Sequence, residues 1–221
     1  MMKGMDISKW QGAVDFAKVA ASGIQFAILR EGYRQAVDGK FFEYVNGCRA
    51  NNIPVKGVYH FSYALNAEQA AQEAAFCIKQ MEQAGLGKDV IVFYDFEYDT
   101  VKKAKAKGVT LGKNECIAFT KAFCEYVESH GYKAGVYSNI DYHRNMYSDE
   151  VLSKYVYWLA DYTGSPDYDC AFHQYTSSGT VSGIDGKVDM DYYYGEEIKE
   201  NQSEKKSVTE VAKEVFAGDW G

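Results

Sequence analysis

The stretch Val90-Ile91-Val92-Phe93-Tyr94-Asp95-Phe96-Glu97 decides how this chain is read. Five apolar residues rich in Val, Ile and aromatics predict a buried β-strand. Side chains alternate along a strand, so Asp95 and Glu97 share one face while Phe96 takes the other. Two acids held side by side repel, and that repulsion raises the pKa of one of them. One carboxyl then stays protonated beside an ionised neighbour, which is the arrangement acid–base chemistry requires.

Outward from this run, β-like segments recur at residues 4–10, 25–32, 55–63, 90–98, 134–139, 156–162, 171–176 and 188–193. Helical spacing separates the earlier ones. Phe41, Tyr44, Val45 and Cys48 mark a helix within residues 40–51, and Asn66 is a natural N-cap for an Ala-rich helix at 67–83 that Gly85 ends. Ile117, Ala118, Cys124 and Val127 mark another at 114–129, with Gly131 as its stop. Regular alternation of strand and helix predicts a parallel sheet with crossover helices. Eight such strands predict an α/β fold, an irregular TIM-like β/α barrel with its functional groups at the carboxyl ends of the strands. The helices are reduced between the last three strands, which follow one another closely. An open flavodoxin-like sheet is the alternative, and eight strands are more than it needs.

The barrel is expected over residues 1–195. Residues 196–206 (EEIKENQSEKK) read as a charged linker. In residues 207–221, Val208, Val211, Ala212 and Val215 lie on one helical face and Gly218 closes it. That tail is too short for a core of its own and reads as the truncated start of a further module.

Composition narrows the function. With 47% apolar and 25% charged residues the chain has ordinary globular composition. A net charge of −7 argues against a nucleic-acid partner, which would want a basic stripe, and offers no attraction to an anionic membrane. No apolar run approaches the ~20 residues of a membrane span. The cysteines, Cys48, Cys77, Cys116, Cys124 and Cys170, are odd in number and form no CxxC, so they read as reduced thiols. Met1-Met2-Lys3 runs straight into the first strand with no secretory leader.

Other strand ends add acids to the pair. Asp6 ends the first strand, and Asp189 and Asp191 lie in the last. First and last strands are neighbours in a barrel, so Asp6 and Asp189 would meet across the closure and join Asp95 and Glu97 at one mouth. Each acid alone suits a cap or turn; as a set they point to a shared site. Tyr59, Tyr63, Tyr137, Trp158 and Tyr162 punctuate the same ends and suit stacking on sugar rings, although each alone suits a core or a rim equally. Gln174 is a candidate sugar hydrogen-bonder. His60 and His173 with the acids would be a metal site only without support from HExxH or HxH spacing, so no metal and no cofactor is expected. No GxSxG, GxGxxG or Walker loop is present.

Met5-Asp6-Ile7-Ser8 with Gln11-Gly12, Tyr59-His60-Phe61, Asp95-Phe96-Glu97, Gly135-Val136-Tyr137-Ser138, Trp158-Leu159-Ala160, His173-Gln174-Tyr175 and Gly186-Lys187-Val188-Asp189 stand in one order along the chain. In that order they resemble glycoside hydrolase family 25, the muramidases that include Chalaropsis-type lysozymes and many phage endolysins. The resemblance spans residues 4–195. It implies an irregular β/α barrel that cleaves the β-1,4 bond between N-acetylmuramic acid and N-acetylglucosamine in the peptidoglycan glycan strand. By position it makes Glu97 the general acid, Asp95 its ionised partner, and Asp6 and Asp189 the acidic floor, with Tyr59, Tyr63, Tyr137, Trp158, Tyr162, Gln174 and Asp191 around the substrate. One departure stands out: the family commonly carries Asn where this chain has Asp191. The D-x-E pair also resembles substrate-assisted glycosidases, while direct activation of water remains the other route. Residues 207–221 resemble the start of a short cell-wall-binding repeat. The alternatives are a peptidoglycan-binding module without catalysis, against which both acids of the pair speak, and a chitinase-like glycosidase, against which the absence of a DxxDxDxE run speaks. The resemblance implies action on the bacterial cell wall. Missing leader and unpaired cysteines fit cytoplasmic synthesis with release at lysis, as for a phage lysin; a secreted enzyme with its leader removed is the rival.

Overall fold

The computed structural model describes residues 1–195, so the expected linker at 196–206 and the tail at 207–221 lie outside the described residues. In chain order the elements are β1 (Met2–Ile7), α1 (Phe16–Ala21), β2 (Phe26–Tyr33), β3 (Ala36–Val37), α2 (Phe41–Ala50), β4 (Val55–Phe61), α3 (Ala67–Gln83), β5 (Ile91–Asp95), α4 (Tyr98–Ala106), α5 (Lys113–Ser129), β6 (Ala134–Asn139), α6 (Ile140–Asn145), α7 (Asp149–Lys154), β7 (Val156–Ala160), β8 (Phe172–Gly179) and β9 (Val188–Tyr193). The sheet runs β1-β9-β8-β7-β6-β5-β4-β2, and a parallel pairing of β1 with β2 closes it into an eight-stranded barrel. The two-residue β3 folds back on β2 as a hairpin outside that count.

Local chemistry explains the helix that covers β2 and β4. Asn66 Oδ1 accepts from the backbone N–H of Gln69 at 2.9 Å, satisfying an orphan donor at the start of α3. Ala70, Ala74, Cys77, Ile78 and Met81 then fall on one face and are buried. Inside the barrel, Phe26, Phe93, Trp158 and Phe172 fill the centre, with Phe93 edge-on to Trp158 at 5.2 Å and to Phe172 at 5.4 Å. Glycines on the neighbouring strands make room for Phe93. A Cβ at Gly57 would lie 2.6 Å from its ring, and one at Gly135 2.4 Å. This large-against-small packing seals the barrel below its mouth.

Three details differ from the sequence expectation. The last strand is reversed: β9 runs antiparallel to both β8 and β1. Residues 180–187, which connect β8 to β9, are fewer than the dozen or so a parallel crossover needs, so the chain turns back as a hairpin. The first strand stops at Ile7, and Lys9–Gln11 forms a short 3₁₀ turn capped by Ser8. The fifth strand stops at Asp95. Glu97 nevertheless keeps an extended backbone (φ −130°, ψ −178°) just before α4, so it remains on the face that Asp95 occupies. Among the described residues, no helix is long and apolar enough to cross a membrane. All five cysteines are buried and free.

Candidate active site

At one mouth of the barrel, Asp6, Asp95, Glu97 and Asp189 line a single open cleft of about 310 Å³. The reversed β9 is what completes the set. Its antiparallel register places Asp189 directly opposite Asp6, so the amino-terminal start of β9 stands where the parallel strands have their carboxyl ends. Depth separates the acids: Asp6 and Asp95 are only 3% and 4% exposed, whereas Glu97 is half-buried at the rim.

Burial raises the pKa of every carboxyl in the cleft, because the low-dielectric interior disfavours the charged form. Asp95 is pushed well up by burial and then by the charge of Glu97, against a smaller pull from Arg30. Its Oδ1 has no hydrogen-bond partner among the described residues. Glu97 is raised by burial, with Tyr137 hydrogen-bonding its charged form and Asp189 and Asp99 opposing that ionisation. Asp6 is pushed well up by burial, then by Asp191 and Asp189; burial also raises Asp189.

A hydrogen-bond chain beneath the acids fixes their orientation. Gln174 Nε2 donates to Asp6 Oδ2 at 2.7 Å, and Gln174 Oε1 accepts from the Tyr162 hydroxyl at 2.7 Å and from Tyr137 at 3.1 Å. The Tyr137 hydroxyl thus sits between Gln174 and Glu97. Trp158 is edge-on to Tyr137 at 4.7 Å and to Tyr59 at 5.8 Å, and its Nε1 donates to Asp191 Oδ1 at 2.8 Å.

Asp191 lies two residues along β9 from Asp189, hence on the same inward face but one rung deeper, and it is fully buried below the cleft. It supports the floor and does not line it. Asp191 Oδ2 has no hydrogen-bond partner among the described residues, and the charge of Asp191 is one of the causes that raise Asp6. Burial lifts Asp191 to about 8, against the hydrogen bond from Trp158. The consequence for stability has a definite sign. Between the unfolded value of 3.8 and about 8, the folded chain holds a proton that the unfolded chain has released, so stability from this group falls as pH rises through that window. Asn at this position keeps the acceptor for Trp158 and brings its own N–H to Asp6. Asp191→Asn is therefore expected to stabilise the fold by about 2–4 kcal/mol at pH 8 and to change little below pH 4. Thermal unfolding of both proteins across pH 4–8 measures this; parallel curves would remove the proton on buried Asp191 from the account.

Tyr59, Tyr137, Trp158, Tyr162 and Gln174 all line the cleft. Tyr63 does not. Its hydroxyl donates to Asp99 Oδ2 at 2.6 Å and accepts from Lys103 Nζ at 2.8 Å, which turns the ring into an adjoining groove. Sequence reading passed over Arg30 and Trp10, which line cleft and groove alike. Arg30 Nε donates to the buried carboxylate of Asp38 at 2.7 Å, and Asp38 also accepts the backbone N–H groups of Lys9 and Lys40 at 3.0 and 2.9 Å. The signal available was a lone cation inside the apolar strand Phe26-Ala27-Ile28-Leu29-Arg30.

The histidines serve elsewhere. Tyr59 and Phe61 face the cleft, so His60 between them faces outward, where its Nδ1 meets Glu31 Oε2 at 2.7 Å. Burial lowers the His60 pKa, but the Glu31 hydrogen bond and charge outweigh it and the net shift is upward. With Cys77 of α3, these two form the one group among the described residues whose ligand atoms lie within 4.8 Å of one another, as metal binding requires. The group is wholly buried and shares no residue with the cleft. His173 Nε2 donates to the backbone oxygen of Asp161 at 2.7 Å. The cleft itself thus sets an acid pair of unequal depth against an aromatic wall.

Comparison with known proteins gives one consistent set of likenesses. The model of the family described as Glycosyl hydrolases family 25 matches residues 5–184. The chain is 27% identical over 199 residues to the autolytic lysozyme of Clostridium acetobutylicum, across 87% of this chain and 56% of that protein. It is 30% identical over 206 residues to the uncharacterized protein YegX of Escherichia coli K12, across 87% of this chain and 69% of that one. The modular autolysin LytC from Streptococcus pneumoniae, solved in complex with a synthetic peptidoglycan ligand, matches with a TM-score of 0.77 and 26% identity, over 87% of this chain and 46% of that chain. The chain spans about half the length of the autolytic lysozyme and of the modular autolysin.

Proposed function

Because the chain belongs to glycosyl hydrolase family 25, we propose that it is a peptidoglycan hydrolase, a muramidase cleaving the β-1,4 bond between N-acetylmuramic acid and N-acetylglucosamine. The observation that carries this reading is the unequal depth of the acid pair, with Glu97 at the rim and Asp95 buried behind it. A general acid must reach the glycosidic oxygen, and Glu97 has that access. Burial raises its pKa, which favours the protonated form that a general acid needs.

In the free cleft the deeper Asp95 is the more favoured site for the proton the pair shares, since burial raises it well up. An acetamide N–H of the substrate supplies the donor that Asp95 Oδ1 lacks among the described residues. Asp95 then ionises and the shared proton passes to Glu97. Glu97 gives that proton to the glycosidic oxygen as the bond to the anomeric carbon breaks. The acetamide oxygen, oriented by ionised Asp95, attacks the anomeric carbon, and water later opens the resulting ring with net retention. Asp6 and Asp189 form the acidic floor, Tyr59, Tyr137, Trp158, Tyr162 and Gln174 bound the sugar site, Asp191 holds Asp6 and Trp158 from below, and Tyr63 belongs to the adjoining groove. The partner is the glycan strand of the bacterial cell wall, where the enzyme acts.

Digestion of purified peptidoglycan, followed by borohydride reduction and mass analysis of the new ends, tests this. Reduced N-acetylmuramic acid is the expected new end, and chitin oligomers are expected to stay intact. New ends on N-acetylglucosamine would point to the other bond, and no new ends at all would indicate a binding module.

A further inference from the structure

Resting on the peptidoglycan reading, we propose that the groove beside the cleft is a binding subsite for an oxyanion carried by the glycan strand, with Lys9 and Arg34 as its ligands. The groove has a volume of about 560 Å³ and shares Trp10, Arg30, Phe61 and Glu97 with the cleft, so whatever it holds lies next to the bond being cut.

In a chain of net charge −7, this groove gathers four cations, Lys9, Arg30, Arg34 and Lys103. Two of them are spoken for: Arg30 pairs with Asp38 at 2.6 Å and Lys103 with Asp99 at 2.8 Å. Lys9 and Arg34 form no ion pair among the described residues. Aromatic rings hold them in place instead. Lys9 Nζ lies 5.2 Å from the Trp10 ring and 5.5 Å from Tyr33, and the Arg34 guanidinium lies 4.8 Å from Tyr63. A cation over a ring is positioned yet keeps its charge for a ligand.

The backbone points the same way. Arg34 sits in the two-residue turn between β2 and β3 with φ +55°, a left-handed conformation that Gly or Asn adopts at lower cost. The turn geometry does not explain an arginine there, whereas the guanidinium it carries into the groove does. Lys9 is anchored through its backbone N–H to Asp38, the same carboxylate that holds Arg30.

The sugar rings of a glycan strand are uncharged and offer these cations nothing to pair with. Anionic oxygens on such a strand come from two sources: carboxylates of the peptide stems on the muramic acid lactyl groups, and phosphates of attached wall polymers. Both present the same chemistry to Lys9 and Arg34.

The test measures reducing-end release by the wild type and by the double variant Lys9→Gln/Arg34→Asn, whose asparagine suits the left-handed turn. Three substrates are needed: intact wall, wall stripped of its phosphate polymers, and glycan strands stripped of peptides as well. The wild type is expected to show a kcat/KM about fivefold higher on anion-bearing wall than on fully stripped strands, carried by KM and weakened by salt. The double variant is expected to lose that advantage, and Lys9→Arg to keep it. The stripping step that removes the advantage identifies the oxyanion as phosphate or carboxylate. A wild type without the advantage, or a double variant that retains it, overturns the proposal. Absence of new reducing ends on every substrate is a different failure, that of the muramidase reading. In that event, weaker equilibrium binding of a soluble disaccharide-peptide to the double variant than to the wild type still supports the groove, and equal binding removes it.

Discussion

Glu97→Gln is expected to lower kcat on peptidoglycan by about a thousandfold or more while leaving folding and substrate binding close to wild type. General-acid catalysis by a positioned carboxyl is worth roughly 10²–10⁴ in rate, and glutamine cannot donate a proton to a departing sugar oxygen. The substitution is structurally mild because the backbone holds this residue in place. The Glu97 N–H donates to Thr100 Oγ1 at 3.3 Å, and the Thr100 hydroxyl in turn donates to the backbone oxygen of Ser62 at 2.7 Å. Neither bond involves the side chain being changed. Rates of reducing-end release, with unfolding curves as a control for folding, measure the effect. Near wild-type turnover in Glu97→Gln would assign the proton to another group.

Asp95→Asn is expected to cost about a hundredfold or more in kcat with a smaller change in KM, because the lost charge matters most where positive charge develops at the anomeric carbon. It also carries a signature that a merely structural role would lack. Glu97 and Asp95 titrate as a pair, so replacing one by a neutral amide removes the like-charge repulsion from the other. Glu97 then ionises at lower pH, and the alkaline limb of the residual kcat/KM profile shifts toward acid. An Asp95→Asn enzyme with wild-type turnover and an unshifted limb would take Asp95 out of the mechanism.

Some of this architecture follows from short-range rules that operate within a few residues. The helix at 67–83 was legible to its ends, because its Asn66 cap and its Ala-rich buried face are local features. The common face of Asp95 and Glu97 survived the early end of β5, because an extended backbone alternates with or without a ladder partner. The meeting of Asp6 with Asp189 was also legible, since barrel closure makes first and last strands neighbours whichever way the last one runs.

Other features depend on partners far apart in sequence. The reversal of β9 follows from the length of the turn before it, not from the residues of the strand, whose alternation is the same in either direction. Arg30 is passed over within its apolar strand and becomes part of the site only when Asp38 holds it at the cleft. Tyr63 carries the same composition signal as Tyr59, yet Asp99 and Lys103 turn it into the groove. His60 looks like a cleft residue because its neighbours are, and alternation sends it to Glu31 on the opposite side.

By itself, the sequence determined the family, the barrel and the common face of Asp95 and Glu97, because periodicity and residue order express those directly. Tertiary structure alone decided the rank among the acids, with Glu97 at the rim, Asp95 behind it, and Asp191 fully buried below. Rank depends on burial and on the dielectric each carboxyl meets, and those are set by the side chains that the closed barrel packs around it.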